Sequence, residues 1–109
     1  MVFDHRHHHR VPIVTPVSYE VLDRAGFRKG YGTVTNLSVR GWKINGNVPL
    51  HAGEACSMEV RLPSSKWVTI LVGIVRWTRG EEAGIEALVM NDESTEQLYK
   101  YIQEHVKAL

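Results

Sequence analysis

Six stretches of the chain read as strands separated by turns, with a clear alternation of apolar and polar residues in two of them, and a last stretch changes to steps of three and four. Pro12 to Leu22 sets Ile13, Val17, Tyr19 and Val21 at the spacing of a strand with one buried face. Asp23 to Gly30 is polar and contains glycine, so a turn is expected there. Tyr31 to Leu37 predicts a second strand carrying Tyr31, Thr33, Val34 and Thr35. Trp42 to Asn45 predicts a short third strand, stopped by Gly46-Asn47 and Pro49. Glu54 to Leu62 is the clearest case, with Cys56, Met58, Val60 and Leu62 on one face and Ala55, Ser57, Glu59 and Arg61 on the other. After a turn at Pro63-Ser64-Ser65, Trp67 to Trp77 predicts a long strand that Gly73 bends or bulges. Gly84 to Val89 follows the turn at Glu81-Glu82 as the sixth.

Leu98, Tyr101, Ile102, His105, Val106 and Leu109 form the apolar stripe of an amphipathic helix over residues 92–108. Ser94 with Gln97 reads as a capping box, and Asp92, Glu93 and Glu96 suit the positive end of a helix. Short strands separated by turns, closed by one helix, predict a mainly β fold, a small antiparallel barrel or sandwich. The 109 residues suit one domain, with an arm over residues 1–12, strands over 13–90 and the helix behind them.

Composition narrows the function classes. A single cysteine, Cys56, forbids an intrachain disulfide and reads as buried filler in the clearest strand. The apolar run Val68 to Val75 is far shorter than the roughly 20 residues that span a bilayer, and no secretory leader is visible, so a cytoplasmic protein is expected. Net charge is +1, but residues 1–43 hold seven basic and three acidic residues while the rest holds six basic and nine acidic. A compact anion is favoured over a long polyanion, which would meet the acidic half.

Two motifs stand out: Arg6-His7-His8-His9-Arg10, of the form RxxxR, and Asn36-Leu37-Ser38-Val39-Arg40-Gly41, of the form NxSxxG. Guanidinium groups fork hydrogen bonds onto the O6/N7 edge of guanine or onto phosphate, and their planes stack on purines. Taken alone, the second motif also describes a turn in which Asn and Ser bond local backbone and Gly takes a positive φ. Four histidines, His5, His7, His8 and His9, surround the first arginine, but no cysteine or acid stands at metal-ligand spacing beside them, and no metal is expected.

With both motifs in order, the chain resembles the PilZ domain family of bacterial cyclic di-GMP receptors. The resemblance extends to Val11-Pro12-Ile13 after the arm and to the late segments Val75-Arg76-Trp77 and Ala83-Gly84-Ile85-Glu86. It implies a six-stranded antiparallel barrel with a C-terminal helix and a flexible N-terminal arm that folds over the ligand. Arg6 and Arg10 would grip guanine edges and phosphates and stack on the bases, Asn36 and Ser38 would hydrogen-bond guanine or nearby ligand atoms, and Gly41 would let the backbone turn closely. His5, which precedes the first arginine, would influence whether one ligand or a stacked pair binds. Arg40 and Arg76 are further candidates, and Trp77 is a candidate stacking ring.

No nucleophile elbow, phosphate-binding loop or paired carboxylates appear, so no catalysis and no cofactor are expected. A downstream protein partner is expected, since no output module is visible in the sequence and the domain would act by association or as a ligand reservoir. Two other readings stay open: a PilZ-like interaction module that has lost its ligand, and a small nucleic-acid-binding barrel. The acidic half makes nucleic acid the poorer fit.

Overall fold

A computed structural model describes residues 11–23 and 26–107. Six strands, β1 (Val11–Asp23), β2 (Gly26–Leu37), β3 (Gly41–Gly46), β4 (Ala55–Arg61), β5 (Trp67–Arg79) and β6 (Glu82–Met90), precede one helix, α1 (Asp92–Lys107). The strands close into a barrel in the order β1-β2-β3-β6-β5-β4, with every neighbouring pair antiparallel. The strand periodicity read from the sequence is thus the periodicity of the barrel wall. Val17, Tyr19, Val21, Val34, Ile44, Met58, Val60, Val68 and Ile70 fill its interior.

The polar segment before Tyr31 is mostly strand rather than turn. β2 begins at Gly26, and Phe27 to Gly30 continue the ladder with β1 through Leu22↔Phe27, Val21↔Arg28, Glu20↔Lys29 and Tyr19↔Gly30. Gly30 is there for space: a Cβ on it would lie 2.3 Å from Tyr19 Cζ, and one on Gly46 would lie 2.2 Å from Tyr19 Oη. The Tyr19 ring fills the room these glycines leave. Its hydroxyl donates to the Val48 carbonyl at 2.6 Å and accepts from the Val48 amide at 3.1 Å, tying the β3–β4 connection to β1. Burial holds the phenol above its usual pKa range. Tyr19→Phe is expected to cost about 1–3 kcal/mol, because the part-buried amide and carbonyl of Val48 lose their partner; urea unfolding measures it.

Arg28 anchors the same connection from outside, donating to the Pro49 carbonyl at 2.8 Å and pairing with Glu54. The bulge expected at Gly73 is present as shifts in register on both sides of it, against β4 between Cys56 and Met58 and against β6 around Val72. Cys56 is buried as expected, and desolvation lifts its thiol to about 11. Of the tryptophans, Trp42 is a core residue, whereas Trp67 and Trp77 lie at the surface.

Leu98, Tyr101 and Ile102 bury the helix stripe against the barrel, chiefly on β5. His105 is exposed, and Leu109 lies outside the described residues. The cap differs from the expected box. Asn91 Oδ1 accepts the Ser94 amide at 2.7 Å, which makes Asn91 the N-cap. Ser94 is buried one turn in, and its hydroxyl accepts the Thr69 amide of β5 at 3.0 Å. The sequence showed a serine before a glutamine, but the serine serves docking of the helix rather than its start.

Candidate functional site

The second motif occupies the end of β2, a tight turn and the first residue of β3. The Ser38 amide donates to the Gly41 carbonyl at 2.9 Å. Its hydroxyl donates to the same carbonyl and accepts the Gly41 amide, each at 3.0 Å. Ser38 is buried and closes the turn with three bonds, leaving its hydroxyl only one further acceptor position. Gly41 does not take a left-handed conformation. Its lack of a side chain instead admits the Ile85 carbonyl, which a Cβ would meet at 3.2 Å. The Arg40 carbonyl accepts the Ala87 amide at 2.8 Å, so the turn is fastened to β6, while the Arg40 side chain is exposed.

Register decides what surrounds the motif. Val11, Leu37, Trp42, Ile85 and Val75 pair in succession across β1, β2, β3, β6 and β5, and all five are buried. The adjacent row on the outer face runs Pro12, Asn36, Lys43, Gly84, Trp77. A shift in register between Val34 and Asn36 makes Thr35 a bulge and brings Asn36 opposite Lys43. The Thr35 hydroxyl donates to the Lys43 carbonyl at 3.3 Å.

Asn36 Oδ1 is buried and has no hydrogen-bond partner among the described residues. A buried acceptor without a donor is uncommon and costs free energy until something fills it. The indole of Trp77 stands over Gly84, where a Cβ would lie 2.1 Å from Nε1, so glycine is what allows the ring to lie along the wall. Charges flank that ring. Arg76 Nε donates to Glu86 at 2.6 Å, Lys43 Nζ lies 2.9 Å from Glu82, and the Arg79 guanidinium lies 5.7 Å from the Trp77 ring centre. The bond from Lys43, helped by the charges of Lys43 and Arg79, holds the Glu82 carboxyl below its usual range.

The structure therefore brings Asn36 onto one outer face with Trp77 and sets Arg76 at its border, while it turns Ser38 and Gly41 to building the turn. Arg6, Arg10 and His5 lie outside the described residues, as does the arm through residue 10. The backbone that follows them is placed: Val11 pairs with Leu37 and Pro12 with Asn36, so the chain enters the barrel beside the motif. Lys43, Gly84 and Arg79 were not singled out from the sequence. Lys43 was legible as the outward residue of the third strand, but its alignment with Asn36 depends on the Thr35 bulge.

Among the described residues no group of three His, Cys, Asp or Glu side chains could hold a metal, and no helix is long and apolar enough to cross a membrane. A depression of about 440 Å³, lined among others by Ser18, Glu20, Lys29, Tyr31 and Ser57, opens over β1, β2, β4 and β5 and shares no residue with the motif.

No curated protein matches the chain. Among solved structures it is similar to the Bacillus subtilis inhibitor of motility (MotI/DgrA), with a TM-score of 0.79 at 15% identity over 97% of this chain and 53% of that one. The chain thus spans about half the length of that protein. It is also similar to the PilZ domain of CeSA from a cellulose-synthesizing bacterium, with a TM-score of 0.63 at 16% identity over 88% of this chain and 96% of that one. At these identities the likeness is one of fold. The PilZ domain model matches residues 4–104, a span that includes both motifs, all six strands and most of α1, and the chain belongs to the PilZ domain family, a family of cyclic di-GMP-binding modules.

Proposed function

We propose that this chain is a cytoplasmic cyclic di-GMP receptor that binds its ligand between the N-terminal arm and the outer face of β2, β3, β6 and β5. The observation that carries this reading is the buried, unpartnered Asn36 Oδ1, set at the point where the arm joins the barrel. The N–H groups on a guanine edge would supply the donor it lacks. Trp77 offers a ring for stacking, and Arg6 and Arg10 offer forked donors for phosphate and for O6/N7. Gly41 and Ser38 then contribute by holding the turn that positions Asn36, with Arg40, Arg76 and His5 at the border.

In this mechanism the arm orders over the ligand and changes the surface shown to a protein partner. Titration of the full chain with cyclic di-GMP is expected to give saturable binding at micromolar concentration, with GTP and single-stranded DNA as weak controls. Heteronuclear relaxation is expected to show the arm ahead of Val11 gaining order on binding, since Val11 and Pro12 already pair in β1. Absence of binding would leave a PilZ-like interaction module, and preference for the oligonucleotide would favour the nucleic-acid reading.

A further inference from the structure

The cations beside Trp77 are not idle. Lys43, opposite Asn36, is half-exposed and is held by Glu82 at 2.9 Å. Glu82 pairs in register with Arg79 on one side and Asn45 on the other, and its carboxylate is bonded to Lys43 and feels the charge of Arg79, the cation that lies over the indole. An anion approaching Asn36 along the outer row Asn36–Lys43–Gly84–Trp77 reaches Lys43 as its first side-chain cation among the described residues of that row.

The geometry points to Glu82 as a built-in counter-anion that occupies Lys43 until a ligand phosphate displaces it, making Lys43 a phosphate-binding residue and Glu82 a residue that sets affinity through it. This inference rests on the proposed cyclic di-GMP site. The physical reason is competition. A carboxylate and a phosphate oxygen ask for the same ammonium, and the phosphate must replace an ion pair rather than meet a free cation. Because the pair is exposed, its strength is modest and screened by salt. Displacement is therefore within reach of a doubly charged ligand, and the carboxylate discriminates against weaker anions.

The test is calorimetric titration of the full chain with cyclic di-GMP at about 20 mM and about 0.5 M salt, where screening is weak and strong respectively. Glu82→Gln keeps the shape and removes the charge. It is expected to bind about three- to fivefold tighter at low salt, with the gain fading at high salt. Lys43→Gln is expected to bind about tenfold more weakly, the worth of one charge-assisted contact. In the double variant the gain from Glu82→Gln shrinks. Thermal melts of both variants are expected to match the parent, since the pair lies at the surface. If the parent binds and Arg10→Ala weakens binding by tenfold or more while Glu82→Gln binds no tighter at low salt, the counter-anion idea is overturned and the receptor reading survives. If the parent does not bind cyclic di-GMP at all, the receptor reading falls and this inference falls with it.

Discussion

Arg10→Ala is expected to weaken cyclic di-GMP binding by tenfold or more in calorimetry, and Arg6→Ala by a similar factor. Each guanidinium that forks onto a base edge contributes roughly 1–3 kcal/mol of discrimination, and tenfold in affinity corresponds to about 1.4 kcal/mol. Arg10 immediately precedes Val11, whose backbone pairs with Leu37, so its attachment point is one residue from the wall that carries Asn36. Arg6 stands four residues further out, and extended chain covers at most about 3.3–3.6 Å per residue, which lets it reach across the ligand rather than only its near side. The double variant is expected to lose about a hundredfold if the two arginines act on separate ligand groups. Lysine at either position is not expected to restore binding, because it lacks the planar fork. Wild-type affinity in both single variants would remove the arm from the mechanism.

Trp42→Ala is expected to lower stability by about 3–5 kcal/mol in urea unfolding. Trp42 is the largest of the fully buried side chains, lies in the inward row between Leu37 and Ile85, and directly follows the motif glycine. Small domains hold only about 5–15 kcal/mol in total, so the variant would sit near the edge of folding. Trp42→Phe isolates a second effect. The indole Nε1 is buried without an acceptor among the described residues, so phenylalanine gives up volume but also removes an unmet donor. Its cost is expected to be well under half that of alanine.

Much of the barrel was legible in the residues because period-two alternation reports burial directly. Cys56, Met58, Val60 and Leu62 share one face of the alternation, and all four are buried. The start of β2 was hidden because Gly26, Arg28, Lys29 and Gly30 carry the composition of a turn, while the reason for Gly30 is the Tyr19 ring on the neighbouring strand. That is a long-range packing demand with no local mark. The helix cap was misplaced for a related reason: Ser94 has the right chemistry for a cap, and only docking against Thr69 shows its use. At the site, the motif announced Asn36 and the turn, but the neighbours Lys43, Gly84 and Trp77 share a row only because of bulges at Thr35 and between Val75 and Trp77. A slip of one residue would send a side chain to the opposite face, and bulges are where such slips are stored.

The first part of β1 bears on self-association. Val11, Pro12, Thr15 and Pro16 pair with β2, and the backbone ladder with β4 takes up only from Val17, the Thr15 hydroxyl donating to the Arg61 carbonyl ahead of it, so the far border of this stretch carries little of the β4 ladder. Two of its six residues, Pro12 and Pro16, have no amide hydrogen to offer. A foreign strand laid along this border would find too few donors to template a continuous ladder. The root of the arm can therefore stay accessible to a small ligand without becoming a seam along which copies of the protein zip together.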